Sequence, residues 1–137
     1  MAHILVVEDS FFIRQSLQLM LREAAYGVTV TGDGALGLAK AREIKPDLVI
    51  LDLMLPSTPG TTVLQELKLD PKTREIPVLV LSGLAKSNEN ALKRLGATSF
   101  CEKSLLQTDL LRIIKETFAE RECETDIHGF PPAEVIQ

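Results

Sequence analysis

The sequence predicts a doubly wound α/β domain built on a five-stranded parallel sheet, and three observations carry that expectation. Short β-branched and leucine-rich runs alternate five times with segments of helical spacing. The third and fourth runs are apolar at nearly every position, which suits strands covered by helices on both faces rather than half-solvated ones. Capping or helix-breaking residues stand at the junctions that a repeated βα unit requires.

The first run, Ile4 to Val7, leads into a helix with Ile13, Leu17, Met20, Leu21 and Ala24 on one face. Asp9 or Ser10 is placed to cap its exposed N–H groups. The second run, Val28 to Thr31, precedes a helix expected at about Ala35 to Glu43 behind the candidate cap Asp33. The third, Leu48 to Leu51, is followed by a helix at Thr61 to Leu69 that stops before Asp70 and Pro71. The fourth, Val78 to Leu81, precedes a helix at Ser87 to Leu95 closed by Gly96. The fifth, Ser99 to Cys101, leads to a helix with Leu106, Leu110, Ile113, Ile114 and Thr117 on one face. After Phe118 the pattern decays into a charged stretch, Glu120 to Asp126, and then Gly129, Phe130, Pro131 and Pro132, which cannot continue a helix. Residues 1–118 therefore read as one domain, and 119–137 as a helix extension with a linker or tail.

Composition narrows the function classes. A chain of 137 residues that is 45% apolar builds one core without covalent staples. The longest apolar runs are too short to cross a bilayer, and the N-terminus has no basic region followed by a long apolar stretch, so a soluble, cytoplasmic protein is expected, with no membrane partner. Cys101 and Cys123 form neither a disulfide framework nor a spaced metal site and read as free thiols in a reducing compartment. A formal charge of -4, with basic residues scattered, gives no footprint for nucleic acid.

In doubly wound sheets, functional groups gather at the carboxyl ends of the strands near the point where strand order reverses. The residues just after the runs are Glu8 and Asp9, Asp52, Ser82 and Lys103. Carboxylates gathered at neighbouring strand ends repel one another, so such a site either raises a pKa or holds a cation. Magnesium takes oxygen ligands, tolerates several waters and is commonly held by one or two carboxylates together with a phosphate. A carboxylate nucleophile can form an aspartyl phosphate, with metal and lysine neutralising the phosphoryl oxygens and a serine hydroxyl donating to one of them. Taken singly, each residue has a plain structural explanation, because acids after strands cap helices, serines close strands and surface lysines are ordinary. The whole set at consecutive strand ends has none.

With these residues in place, the chain resembles the response-regulator receiver family of two-component and chemotaxis signalling over about residues 3 to 118. The resemblance rests on Ile4-Leu5-Val6-Val7-Glu8-Asp9, on Pro46 to Pro56 with Gly60 following, on Pro77 to Ser82 with Gly83, on Gly96-Ala97, and on Phe100 three before Lys103. It implies a flavodoxin-like three-layer sandwich with strand order 2-1-3-4-5. It implies that Asp52 is the phosphoacceptor, Asp9 a direct ligand of Mg2+, Glu8 a metal-site carboxylate acting through water, and Met54 a ligand through its backbone carbonyl. Lys103 would pair with the phosphoryl group. Ser82 would be the switch hydroxyl, and Phe100 the ring that turns inward with it, changing the surface of the fourth helix, fifth strand and fifth helix. The implied donor is a phosphohistidine of a histidine kinase or phosphotransfer protein, and the implied receiver of the signal is a downstream effector or output domain.

Two departures stand out. Glu8 replaces the commoner Asp, and Ser104 stands where the family usually has proline. A cis bond before a non-proline residue costs about 2.5–4 kcal/mol, so a trans bond or an altered loop is expected after Lys103. Met54 and Leu84, two residues beyond Asp52 and Ser82, cannot orient a water, which points to slow self-dephosphorylation.

Three other readings compete. Gly32 to Gly37 fits a dinucleotide fingerprint, but it follows the second run and leaves the strand-end residues without roles. An aspartate-nucleophile phosphatase would carry a second acid where Met54 stands. A receiver-like binding module that is never phosphorylated is the alternative that the sequence leaves open.

Overall fold

The chain alternates strand and helix as β1 (His3–Val7), α1 (Phe11–Glu23), β2 (Gly27–Thr31), α2 (Gly34–Ile44), β3 (Leu48–Asp52), α3 (Gly60–Leu69), β4 (Val78–Ser82), α4 (Glu89–Arg94), β5 (Ser99–Glu102) and α5 (Leu106–Gly129). A single 3-10 turn, Lys103–Leu105, joins β5 to α5. The structure, a computed structural model, describes residues 1–83 and 88–129, with side chains as far as 122. The expectations placed on Leu84, Ser87, Phe130, Pro131, Pro132 and the Cys123 thiol lie outside the described residues.

All strand pairings are parallel, as expected of a doubly wound sheet, and the order is β2-β1-β3-β4-β5, as the resemblance implies. The period of two along each strand divides the core into two layers. Leu5, Val7, Val49, Leu51, Val78 and Val80 face the layer that holds Ala41 of α2, Val63, Leu64 and Leu67 of α3, and Leu92 of α4. Ile4, Val6, Leu48, Ile50, Leu79 and Leu81 face Leu17 and Leu21 of α1 and Leu110 and Ile114 of α5. The central strand β3 is therefore buried at every position, whereas the edge strand β2 is only half-buried. Each fully buried leucine or isoleucine contributes on the order of 1.5–3 kcal/mol relative to an exposed one.

Local chemistry decides the helix ends. Ser10, not Asp9, caps α1: its hydroxyl accepts from the Ile13 N–H at 3.3 Å, which leaves the Asp9 side chain exposed at the sheet edge. Asp33 caps α2 by accepting from the Leu36 N–H at 3.0 Å. The first helix ends at Glu23, so Ala24 is its C-cap rather than part of its apolar face. Gly96 takes a φ of 111°, a left-handed conformation that glycine adopts without strain, and turns the chain into β5. Thr117 is buried on the otherwise apolar face of α5 because it donates to the Ile113 carbonyl at 2.7 Å and pairs with the Ser99 hydroxyl at 2.9 Å.

No cis peptide bond occurs among the described residues, so the Lys103–Ser104 bond is trans. Cys101 is a buried free thiol. No helix among the described residues is long and apolar enough to cross a membrane.

Candidate functional site

Strand register assembles the site. Val7 pairs with Leu51 across β1 and β3, so the next residue of each chain segment sets Glu8 abreast of Asp52. Asp52 pairs with Leu81 and Ser82 with Glu102, which puts Ser82 and Lys103 at the same carboxyl edge. Strands β3 and β4 each run one residue beyond their apolar stretch, and that last residue is Asp52 or Ser82.

Glu8, Asp9 and Asp52 each bring a carboxylate oxygen within 4.8 Å of the others. Glu8 and Asp52 are 0% and 1% exposed, a costly position for two carboxylates. One oxygen of each is held by a backbone donor: Asp52 Oδ1 accepts from the Met54 N–H at 3.0 Å, and Glu8 Oε2 from the Ser10 N–H at 2.9 Å. The other oxygens face Lys103 Nζ, at 3.0 Å from Asp52 Oδ2 and 3.2 Å from Glu8 Oε1. The ammonium attracts both at ion-pair distance but off the direction of a good hydrogen bond, so the two oxygens are buried without a directed donor.

Burial pushes the Glu8 carboxyl up to about 7; the Ser10 N–H opposes the shift, Asp52 adds to it and Lys103 opposes it. Burial also disfavours the Lys103 ammonium, but Asp52 and Glu8 outweigh it and hold its pKa above the ordinary lysine value. Three carboxylates against one ammonium, all-oxygen donors and two orphaned buried oxygens make a set that fits a hard divalent cation. Met54 joins the site through its amide while its side chain is 75% exposed.

Ser82 lies between two cavities. One, of about 360 Å³, is lined by Leu53, Met54, Leu81, Gly83 and Asn88 beside the carboxylates. The other, of about 290 Å³, lies against Phe100, Leu105 and Ile113 and is rimmed by Glu89, Glu102 and Asp109. Phe100 is half-buried on the α2–α4 side of the sheet, with Lys93 Nζ 5.9 Å from its ring centroid.

Arg14 belongs to this site although periodicity did not single it out. Its Nη1 donates to the Glu8 and Asp9 carbonyls, each at 2.9 Å, and its guanidinium lies 5.8 Å from the Phe11 ring centroid. A basic residue in the first turn of a helix that an acidic pair precedes is the signal that could have found it. The glycine pattern after β2 has a packing explanation. A Cβ at Gly37 would lie 2.8 Å from Val7 Cγ2, and one at Gly34 would lie 2.9 Å from Val63 Cγ2. The N-terminus of α2 already holds the Asp33 carboxylate, where a dinucleotide pyrophosphate would have to sit.

A 2-1-3-4-5 parallel sheet with clustered carboxylates, a lysine and a serine at its carboxyl edge defines a signalling receiver of the flavodoxin-like class. The chain belongs to the response regulator receiver domain family, whose model matches residues 4–115. It is 42% identical over 86 residues to the DNA-binding dual master transcriptional regulator RpaA of Synechocystis, covering 63% of this chain and 36% of that one. The chain thus spans about a third of that relative. It is 32% identical over 120 residues to protein PilH of Pseudomonas aeruginosa, covering 87% of this chain and 99% of PilH. The crystal structure of a CheY-like response regulator receiver protein from Methanospirillum hungatei superposes with a TM-score of 0.80 at 31% identity, covering 90% and 98% of the two chains. Members of this family are signalling phosphoacceptors of two-component systems rather than conventional enzymes.

Proposed function

We propose that Asp52 accepts a phosphoryl group from a phosphohistidine of a histidine kinase or phosphotransfer protein. The observation that carries this reading is the Asp52 carboxylate itself: buried at a strand end, fixed through Oδ1 by the Met54 N–H, with its other oxygen facing Lys103. An oxygen of Asp52 attacks phosphorus as the P–N bond breaks with its electron pair going to nitrogen, and the donor ring leaves as neutral imidazole where its other nitrogen already carries a proton and otherwise takes one from water. Lys103 then exchanges its contact with the carboxylate for one with the incoming phosphoryl oxygens, and the Ser82 hydroxyl turns toward them.

Mg2+ is the implied metal. Asp9 and Asp52 would hold it directly, Glu8 through water and Met54 through its carbonyl, and it would supply positive charge to the phosphoryl oxygens. Movement of Ser82 would draw Phe100 inward, since Ser82 lines the cavity in which Phe100 lies, and so would alter the surface of α4, β5 and α5 for an effector or output domain. The receiver proper is residues 1–118, acts in the cytoplasm and binds no nucleic acid itself. The side chain two residues beyond Asp52, Met54, is apolar and cannot orient a water, so the phosphorylated protein loses its phosphoryl group slowly without a phosphatase.

Incubation with acetyl phosphate, read by intact mass, tests the reading. A magnesium-dependent gain of one phosphoryl group, absent in Asp52→Asn, is expected; no gain in the intact protein would favour a binding module that phosphorylation does not regulate.

A further inference from the structure

At the opposite edge of the sheet, where the chain enters β4 and β5, a cavity of about 310 Å³ is lined by Lys68, Arg74, Glu75, Thr98, Glu120 and Arg121, among others. Its volume is at the lower end of small-molecule sites, which run from roughly 300 to 1,000 Å³. Three elements converge there: α3 supplies Lys68, the segment before β4 supplies Arg74, and the continuation of α5 beyond its packed turns supplies Arg121.

The electrostatics of this cavity are unbalanced. Cations outnumber carboxylates three to two in a chain of formal charge -4. Among the described residues, none of the three cations has a carboxylate oxygen within ion-pair distance. Lys68 Nζ is held only by neutral acceptors, the Arg74 and Ile76 carbonyls at 3.1 and 2.7 Å, while its stem runs beneath Gly96. Burial lowers the Lys68 pKa, the Arg121 charge lowers it further, and Glu75 only partly offsets them. An anion between Lys68 and Arg121 would relieve both the desolvation and the repulsion.

We propose that this cavity binds a phosphate-bearing small molecule, with its dianionic phosphoryl group held between Lys68, Arg74 and Arg121. Two guanidinium groups and an ammonium arriving from separate elements suit a tetrahedral group with several acceptor oxygens better than a planar carboxylate. Occupancy would tie α3 to the continuation of α5 at the edge of the sheet opposite Asp52, and so would bear on the segment that follows the receiver rather than on the acceptor.

Amide chemical shifts of the full 137-residue chain, titrated with inorganic phosphate and with pyrophosphate in EDTA at constant ionic strength, test the proposal. The expected result is saturable shifts centred on Thr98, Thr117 and Arg121, with affinity weakened about tenfold in both Arg121→Gln and Arg74→Gln. Both substitutions are at exposed positions, and circular dichroism establishes that each variant is folded. Shifts that do not saturate, that centre on Ser82 and Lys103, that chloride reproduces, or that either folded variant retains would overturn it.

Discussion

At the scale of single residues, the site is a balance between buried charge and the groups that tolerate it. Glu8 shows this most plainly. Its carboxyl titrates near 7 in the folded chain because it is buried, against 4.5 for an unperturbed glutamate. Between those values the folded state holds a proton that the unfolded chain has released, so stability falls as pH rises through the window and levels off above it. Across the full window the loss is on the order of 3 kcal/mol. In EDTA, the urea midpoint of the intact protein should be lower at pH 8 than at pH 5.5, and Glu8→Gln should flatten that difference. An unchanged slope in the variant would show that another group titrates. Asp9 and Asp52, Ser82 and Lys103 were legible in the sequence because each follows an apolar run. The role of Arg14 was not, because its contacts are to backbone carbonyls, which leave no pattern in side-chain types.

At the scale of elements, the site depends on where β3 ends and α3 begins. Gly60 opens α3 directly against the acceptor strand. A Cβ there would lie 2.5 Å from the Asp52 carbonyl oxygen and overlap the Leu53 Cα, both of which are backbone and cannot swing aside. Gly60→Ala should therefore cost about 1–3 kcal/mol in urea unfolding and slow phosphoryl uptake by shifting the Met54 N–H from Asp52. A variant with wild-type stability and uptake would show that the loop yields freely. Periodicity placed all five helices, since caps such as Asp33 and breakers such as Gly96 are local chemistry. It placed the carboxyl ends of β1 and β2 correctly and those of β3, β4 and β5 one residue short, because Asp52, Ser82 and Glu102 continue the backbone ladder while their polar side chains end the apolar run. The choice between Asp9 and Ser10 as the cap of α1 also needed coordinates, since both side chains can accept the same N–H.

At the scale of the whole molecule, two core layers share one sheet, and the carboxyl edge of that sheet carries the charge. The layers meet their helices by residue 118, after Thr117 has closed on Ser99 and Phe118 has tilted against Tyr26 with ring centroids 6.1 Å apart. A chain ended after Phe118 should keep a cooperative unfolding transition and the phosphoryl uptake of the longer chain. Loss of that transition would mean that the continuation of α5 is part of the receiver's core. The fold class followed from run length and alternation, which are properties of every strand at once, and the strand order from the family resemblance. The polar cavity at the opposite edge did not, because Arg121 is far from Lys68 and Arg74 in sequence and only the fold brings the three to the start of β4 and β5.

The most direct test of the central claim is to locate the phosphoryl group. After brief exposure to acetyl phosphate and magnesium, borohydride reduction converts an acyl phosphate to an alcohol that tandem mass spectrometry can place. The expected product is homoserine at position 52, with Glu8 and Asp9 unmodified. Reduction at either of those residues, or no reduced residue at all, would contradict Asp52 as the acceptor.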